Sequence, residues 1–251
     1  MIEITDLHKS FGGQHVLKGV SLHIPRGKIT VIIGPSGCGK TVLLRHIIGL
    51  ITPDRGRVEI DGVELSSLSG QRLTGFRRRF GMLFQSAALF DSLSVFDNVA
   101  FPLVEQSRGG VKADIRRVVE EKLSLVGLSG IGHKMPSELS GGMRKRVGLA
   151  RAIVLEPSII LYDEPTTGLD PIMAAAIDNL ILSMQQRLSV TSVVISHDIE
   201  SAFRVADQIA MVHDGRIAER GSPEAFRKSE NTFVREFLRA GSRNGQAGRD
   251  R

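Results

Sequence analysis

Short apolar runs rich in β-branched residues recur along the chain and predict buried strands. The clearest occupy residues 28–33, 158–163 and 190–195. Other stretches, such as residues 42–48 and 114–126, carry apolar residues at helical spacing. This combination of strands and helices predicts an α/β fold.

Turn-forming residues divide the rest of the chain into further elements. Strands are predicted at residues 2–8 and 16–24, and hairpins are predicted to turn at Asp61-Gly62 and Asp214-Gly215. From about residue 92 to residue 152 the pattern becomes helical, which predicts an inserted helical segment.

Three segments have patterns that bear on the surface and the C-terminus. Residues 106–111 are expected to form a mobile surface loop. Ser222 is expected to cap a helix that has Pro223 at its first position, and residues 232–240 are predicted to form another helix. Residues 241–251 are polar and rich in Gly and Arg, so disorder is expected there.

One glycine-rich stretch matches the phosphate-loop pattern G-x-x-x-x-G-K-[ST] between a predicted strand and a predicted helix. Its glycines let successive N–H groups turn inward around an anion, towards which the helix N-terminus also points. Lys40 is expected to bind the β- and γ-phosphates of a nucleotide, and the Thr41 hydroxyl to bind Mg²⁺. The alternative is a simple turn, which the flanking strand and helix disfavour. The predicted nucleotide-binding residues of this stretch are Gly34, Pro35, Ser36, Gly37, Cys38, Gly39, Lys40 and Thr41.

Polar residues also follow three predicted strands, at the ends where open α/β sheets bind ligands. Gln85 is expected to orient a water or to contact Mg²⁺, although an ordinary polar strand end also explains it. Asp163 is expected to hold Mg²⁺ through water, and Glu164 to accept a proton from water. His197 is expected to contact the γ-phosphate or to polarise the attacking water, with a structural histidine as the alternative.

Two more positions are candidates for nucleotide contact. Phe11 lies in a predicted loop and could stack on adenine, or could equally be a core or turn residue. Ser140 is expected to cap the helix over residues 144–155, and Gly141 and Gly142 leave its N-terminal N–H groups open to an anion. A plain capped helix start is the alternative.

Composition excludes some classes of protein. The chain has 251 residues, of which 41% are hydrophobic and 24% charged, as in globular proteins. No apolar run reaches the ~18–20 residues of a membrane span, and no export signal is visible, so a cytoplasmic location is expected. The net charge is +6, but the basic residues are scattered and not interleaved with aromatic ones, so no nucleic-acid partner is expected. Cys38 is the only cysteine, which excludes an internal disulfide.

Taken in order, these motifs resemble the ATP-binding cassette (ABC) family over residues 1–235, with residues 236–251 as a partly disordered tail. The element that separates this family from other P-loop proteins is Leu139-Ser-Gly-Gly-Met143, ahead of the strand that ends in Asp163-Glu164. Here Phe11 stands where the family usually has Tyr, and Met143 where it usually has Gln. Neither difference removes a phosphate donor.

The resemblance implies a fold, cofactors and a mechanism. The fold is a RecA-like P-loop NTPase core with an N-terminal antiparallel β subdomain and an inserted α-helical subdomain. The cofactors are ATP and Mg²⁺, with Gln85, Asp163 and the loop through Asp170 lining the site. Glu164 is implied to be the general base, and His197 to hold the γ-phosphate. Two copies are implied to pack head to tail, so that Ser140 to Gly142 of one close on ATP in the P-loop of the other.

A narrower resemblance, to the ATPase subunits of the bacterial Mla phospholipid transporters, rests on three stretches. It implies an integral membrane permease, a periplasmic MCE-domain ring and a small STAS-domain partner. The protein would then be peripheral on the cytoplasmic face of the inner membrane. The segment from Thr232 is also implied to reach a neighbouring copy. The three stretches are Phe84 to Asp91, Leu139 to Met143 and residues 144–152.

Alternative functions remain open at this point. The chain could be the ATPase of an ABC importer for another solute, or a soluble ABC protein without a transport role. A P-loop kinase would leave the Ser-Gly-Gly element unexplained. For a transporter, residues 87–90 and 94–96 are predicted as the permease-docking surface, because their apolar side chains exceed what a surface loop exposes.

Overall fold

The computed structural model describes residues 1–107 and 114–246, and the side chains of residue 107 and of residues 241–246 lie outside that description. The described strands are β1 (Ile2–Phe11), β2 (Gln14–Ile24), β3 (Ile29–Ile33), β4 (Arg55–Ile60), β5 (Val63–Glu64), β6 (Phe80–Leu83), β7 (Ile159–Asp163), β8 (Thr191–Ile195), β9 (Gln208–His213) and β10 (Arg216–Gly221). The described helices are α1 (Lys40–Ile47), α2 (Gly70–Arg77), α3 (Val95–Ser107), α4 (Ile115–Leu125), α5 (Gly141–Ile153), α6 (Pro171–Leu188), α7 (Ile199–Val205), α8 (Pro223–Arg227) and α9 (Thr232–Gln246).

These elements form two compact units, one containing residues 1–77 and the chain from residue 191 onwards, the other containing residues 78–190. In the first unit, β2, β1, β4 and β5 form an antiparallel sheet in that order. Ile2 pairs with Ile24 on one side and with Ile60 on the other. All three side chains are fully buried, which gives this sheet one apolar face.

A second group of strands in the first unit has the order β10-β9-β3-β8. Both neighbours of β3 run parallel to it, and β9 and β10 form an antiparallel hairpin. Every residue of β3 and β8 is buried. Strands buried on both faces are mostly apolar, which explains why these two were recognisable from the sequence.

The second unit contains the parallel strands β6 and β7 with α3, α4, α5 and α6. Two glycines allow α5 to approach β6 closely. A Cβ on Gly81 would lie 2.3 Å from the Ala152 carbonyl oxygen, and a Cβ on Gly148 would lie 2.9 Å from a Leu83 methyl carbon. No side chain fits in the first of these gaps, so the close contact requires glycine.

The strands were predicted well, and the helices less so. Helices α2 and α7 were not predicted, since α2 buries none of its residues and α7 has only seven. Helix α5 begins at Gly141, three residues before the predicted start. Within the described residues, no helix combines the length and apolar character needed to cross a membrane.

Two predictions about irregular segments need correction. The expected disorder at residues 241–246 is wrong, because α9 continues to Gln246. Adding a residue to an existing helix gains one hydrogen bond without a new nucleation step, so polar composition alone does not end it. Residues 247–251 lie outside the described residues. In the predicted loop at 106–111, Gln106 and Ser107 belong to α3, and the remaining residues lie outside the described part of the chain.

Candidate functional site

The glycine-rich loop connects β3 to α1, as predicted. Gly34 has φ +149°, and a Cβ there would lie 2.2 Å from the Val212 carbonyl oxygen. Gly39 has φ +105° and forms the N-cap of α1, with no side chain over the helix N-terminus. Glycine is therefore required at both positions, and no side chain hydrogen-bonds to the first N–H groups of α1, which can bind an anion.

Lys40 is the most informative residue of the loop. Its side chain is buried, with 7% exposed, and its ammonium group donates to the carbonyl oxygens of Gly34 at 2.8 Å and Pro35 at 2.9 Å. No carboxylate among the described residues forms an ion pair with it. A buried cation held only by neutral acceptors is costly, and an anionic ligand would neutralise it.

A cavity of about 710 Å³ adjoins the loop within the first unit. Pro35 to Cys38 form one side, and His15, Lys18 and His213 are among the other lining residues. Burial is the main effect on the Cys38 thiol and raises its pKa, which the charge of Lys40 opposes. A thiol kept protonated is consistent with Cys38 acting as a loop residue rather than a nucleophile.

Phe11 does not belong to the described lining of that cavity. Its side chain is 47% exposed, and the Lys9 ammonium lies 5.5 Å from the centre of its ring. Stacking of Phe11 on adenine therefore remains a prediction.

Sequence reasoning missed the histidines of this cavity. The parallel register pairs Ile33 of β3 with Met211 of β9, which brings the end of β9 and His213 to the same edge as the loop. The hairpin at Asp214-Gly215 was predicted, but its position beside β3 depends on strand order. The carboxyl ends of parallel strands lie at one edge of a sheet, and this rule, applied to β9, would have identified His213.

His197 lies at the carboxyl end of β8, where it was predicted. Ile195 pairs with Ile32 of β3, so His197 and Gly34 each lie two residues beyond that pair. The His197 side chain is exposed, whereas Ser196 before it is buried. The Ser196 hydroxyl accepts a hydrogen bond from the Asp198 N–H at 2.9 Å, which shapes the turn that carries His197.

The second unit brings Gln85 and Glu164 into matching positions. Leu83 of β6 pairs with Tyr162 of β7, and each of the two polar residues lies two positions beyond this pair. Asp163 is the last residue of β7. The predicted strand-end group of this unit is therefore assembled at one edge by parallel pairing.

Glu164 has a constrained backbone. Its φ is +51°, a left-handed conformation that is uncommon outside glycine. The Thr167 hydroxyl donates to Glu164 Oε2 at 3.0 Å, and the Thr167 N–H donates to the Glu164 carbonyl oxygen at 3.3 Å. The carboxylate is thus held in a defined direction just after the strand.

Helix caps explain two other predicted site residues. Ser140 Oγ accepts from the Met143 N–H at 3.2 Å, as predicted, and the N–H groups of Gly141 and Gly142 precede the first intrahelical bonds of α5. Asp170 Oδ1 accepts from the N–H groups of Ile172 and Met173, both at 3.0 Å, so this carboxylate caps α6.

A residue of α5 that was not predicted contacts this group. Lys145 has 5% of its side chain exposed and donates to the carbonyl oxygens of Gln85 and Glu164. Burial lowers the pKa of its ammonium, an effect opposed by the charges of Glu164 and Asp163. Nothing in the sequence near Lys145 distinguishes it from a surface lysine of an amphipathic helix.

A phosphate-binding loop, strand-end carboxylates and a capped Ser-Gly-Gly helix start together define a nucleotide-binding P-loop ATPase. Comparison with known proteins gives the family. The chain belongs to the ABC transporter family, whose sequence profile matches residues 17–167. It is accordingly an ATPase with the ABC fold, in which an α/β core carries an antiparallel N-terminal sheet and an inserted set of helices.

Among curated proteins, the chain is 44% identical to the Escherichia coli K12 "Intermembrane phospholipid transport system ATP-binding protein MlaF", covering 95% of this chain and 88% of that protein. It is also 44% identical to the Mycobacterium tuberculosis H37Rv "Probable ribonucleotide transport ATP-binding protein mkl", covering 98% of this chain and 68% of that protein.

Solved structures agree on the fold. A dimeric post-hydrolysis state of the ATP-binding cassette MJ0796, bound to ADP and Pi, has a TM-score of 0.80 and 33% identity, covering 89% of this chain and 99% of that chain. The cbiO1 protein of Clostridium perfringens, part of the ABC transporter complex cbiONQ, has a TM-score of 0.83 and 30% identity, covering 99% of this chain and 98% of that one.

Proposed function

We propose that this chain is the ATP-hydrolysing motor of a phospholipid transporter that works between inner and outer membranes. The observation that carries the proposal is the 44% identity to MlaF over 95% of the chain, which includes both the phosphate loop and the Ser-Gly-Gly motif. The mkl protein, equally similar, has a name that refers to ribonucleotides. Ribonucleotide transport is therefore the alternative that an experiment on cargo has to test.

The phosphate loop fits a nucleoside triphosphate. Among the described residues, the acceptors of the buried Lys40 ammonium are neutral, namely two carbonyl oxygens and the Cys38 sulfur, and the N-terminus of α1 carries no side-chain cap. Both features favour phosphate oxygens as ligands. In the proposed site Lys40 binds the terminal phosphates and the remaining N–H groups from Gly34 to Thr41 surround them.

Mg²⁺ would be held by a hydroxyl and carboxylate or amide oxygens, which are the hard ligands it prefers. The proposed set is Thr41, Gln85 and Asp163. The Thr41 side chain is exposed, and Asp163 ends a buried strand. The ion would offset the negative charge of the phosphates, and most of its ligands would be water and phosphate oxygens.

The proposed hydrolysis roles belong to residues at the strand ends. The carboxylate of Glu164, held by Thr167, accepts the proton of the attacking water. His197, on the turn shaped by Ser196, donates a hydrogen bond to the terminal phosphate, and Gln85 orients the water through its amide. Phe11 stacks on the adenine ring.

A second copy of the chain completes each site in this proposal. Ser140, Gly141 and Gly142 of one copy bind the terminal phosphate held by the other, in a head-to-tail dimer, and Asp170 lies in a loop next to that contact. The dimeric structures of MJ0796, at 33% identity, support the pairing of two copies. Hydrolysis removes the phosphate that joins the copies and lets them separate.

The remaining partners are an integral membrane permease and, through the complex, a STAS-domain protein and an MCE-domain protein. The chain would then lie on the cytoplasmic face of the inner membrane. The predicted docking surface needs correction, since Ala87 and Val95 are buried. The exposed apolar side chains nearby are Phe84, Phe90 and Phe101, which line a cavity of about 470 Å³ suited to a permease segment.

Purification and reconstitution of the complex test the proposed partners and cargo. The tagged chain is isolated from detergent-solubilised membranes with its bound partners, reconstituted in vesicles, and assayed for ATP hydrolysis and for transfer of fluorescent phospholipid. We expect an integral membrane permease to co-purify, and phospholipid transfer to require ATP. ATP-dependent uptake of ribonucleotides without lipid transfer would favour the alternative, and absence of any membrane protein would contradict a transporter role.

A further inference from the structure

Helix α5 carries two cations that hold the loop after β6, Lys145, which is buried, and Arg151, which is half-buried. Lys145 donates to the Gln85 carbonyl oxygen, and Arg151 donates to those of Ala87 at 2.7 Å and Ala88 at 2.8 Å. Both alanines have left-handed backbones, with φ +61° and +46°. This conformation is unfavourable for alanine, so the loop keeps it only because the surrounding contacts impose it.

Lys145 also reaches the other strand end. Its ammonium donates to the Glu164 carbonyl oxygen at 3.2 Å, and Glu164 too has a left-handed backbone. One buried ammonium therefore ties together the backbones of the two residues proposed to handle the attacking water. Neither bond involves the side chains of Gln85 and Glu164.

We propose that Lys145 is a positioning residue for hydrolysis, which sets the backbones of Gln85 and Glu164 at the distance and orientation that their side chains need. The inference rests on the proposed roles of those two residues and extends them to α5. Since Ser140 caps the same helix, a displacement of α5 on contact with a second copy would move both backbones together.

Catalysis is more sensitive to such placement than binding is. A displacement of about 1 Å at a reacting group can cost on the order of 100-fold in rate. Nucleotide affinity, in contrast, is expected to depend on the phosphate loop, which belongs to the first unit, whereas Lys145 belongs to the second. Loss of Lys145 should therefore lower kcat and leave KM for ATP nearly unchanged.

The test uses the full-length chain and steady-state ATP hydrolysis. Lys145→Met removes the donor while keeping the length of the side chain, and we expect kcat to fall roughly 10- to 100-fold with KM within threefold of the parent. Lys145→Arg retains a cation with several donors and should restore kcat to within threefold. Lys145→Gln, with one shorter donor, should lie between Met and Arg.

A matched control distinguishes loss of the positioning contacts from the general effect of removing a buried lysine. Lys122 is also buried, with 3% exposed, in the same unit, but it pairs with Glu156 at 2.9 Å and Glu121 at 3.1 Å, away from both strand ends. Lys122→Met should lower thermal stability and leave kcat within threefold of the parent.

Parental kcat in Lys145→Met, an equal loss in Lys122→Met, or a KM that rises in proportion to the loss of kcat would overturn the proposal. If Lys145→Met does not fold, equal kcat values in Lys145→Arg and Lys145→Gln would overturn the proposal. Glu164→Gln is measured alongside. If Glu164→Gln hydrolyses ATP normally, the proposed role of Glu164 is wrong; if only the Lys145 variants behave like the parent, the positioning role alone is wrong.

Discussion

Replacing Lys40 by Met tests whether the buried ammonium of the phosphate loop binds the nucleotide. Met has a similar length, so it can occupy the space of a side chain that is 7% exposed. It cannot donate a hydrogen bond to a phosphate. The change therefore removes the charge from the loop while disturbing the packing little.

The size of the effect follows from the contacts that the ammonium makes. It is held by two carbonyl oxygens at 2.8 and 2.9 Å and by no carboxylate of the described residues. A hydrogen bond to a charged group contributes about 1.5–3 kcal/mol. At 1.4 kcal/mol per tenfold, losing one such bond to phosphate raises the Kd for ATP about 10- to 150-fold.

The assay is titration with a fluorescent ATP analogue or by calorimetry, after circular dichroism has confirmed that the variant is folded. Lys28→Met is the matched control, because Lys28 lies in the same unit but is paired with Asp207 and about half exposed. We expect its Kd to stay within threefold of the parent. Unchanged affinity in Lys40→Met, or an equal loss in Lys28→Met, would refute the assignment of Lys40 to the phosphate site.

Three further predictions concern catalysis, dimer closure and pH. Glu164→Gln should bind ATP with parental affinity, lose nearly all turnover and accumulate an ATP-dependent dimer in size-exclusion chromatography; parental turnover would exclude Glu164 as the base. Ser140→Arg should bind ATP normally but fail to dimerise in the Glu164→Gln background, because its bulk and charge block closure, whereas Ser129→Arg, also at an exposed serine of that unit, should dimerise. Burial lowers the pKa of His46, which is 1% exposed and donates to the Val42 carbonyl oxygen at 2.8 Å. The unfolded chain therefore binds a proton at His46 more readily than the folded chain does, so the stability that the neutral His46 provides above about pH 6.5 should be lost as pH falls. In urea titrations, the free energy of unfolding should decrease less with falling pH in His46→Phe than in the parent. An equal decrease in both proteins would contradict this prediction.

The parts of the site that could be predicted are those whose interacting residues lie close together in the sequence. The phosphate loop is a continuous motif, and its glycines are required where the φ angles of Gly34 and Gly39 are positive. The strand ends at Asp163 and His197 were found because each follows a buried apolar run. Ser140 was recognisable as a cap because its partner, Met143, is three residues away.

The parts that were missed depend on residues distant in sequence. Lys145 lies 60 residues from Gln85, and no local pattern connects them. His213 joins the cavity of the phosphate loop only because β9 is placed beside β3. The end of α9 was misjudged because composition does not show where a helix stops.

In the proposed dimer, a terminal phosphate is bound by the glycine loop of one copy and by the serine–glycine helix start of another. A structure of the Glu164→Gln chain with ATP and Mg²⁺ is the decisive test. We expect two copies with two nucleotides, and Ser140 Oγ and the Gly142 N–H of each copy about 3 Å from the phosphate held by Lys40 of the other. A nucleotide-bound dimer in which that helix start remains distant from both phosphates would contradict it.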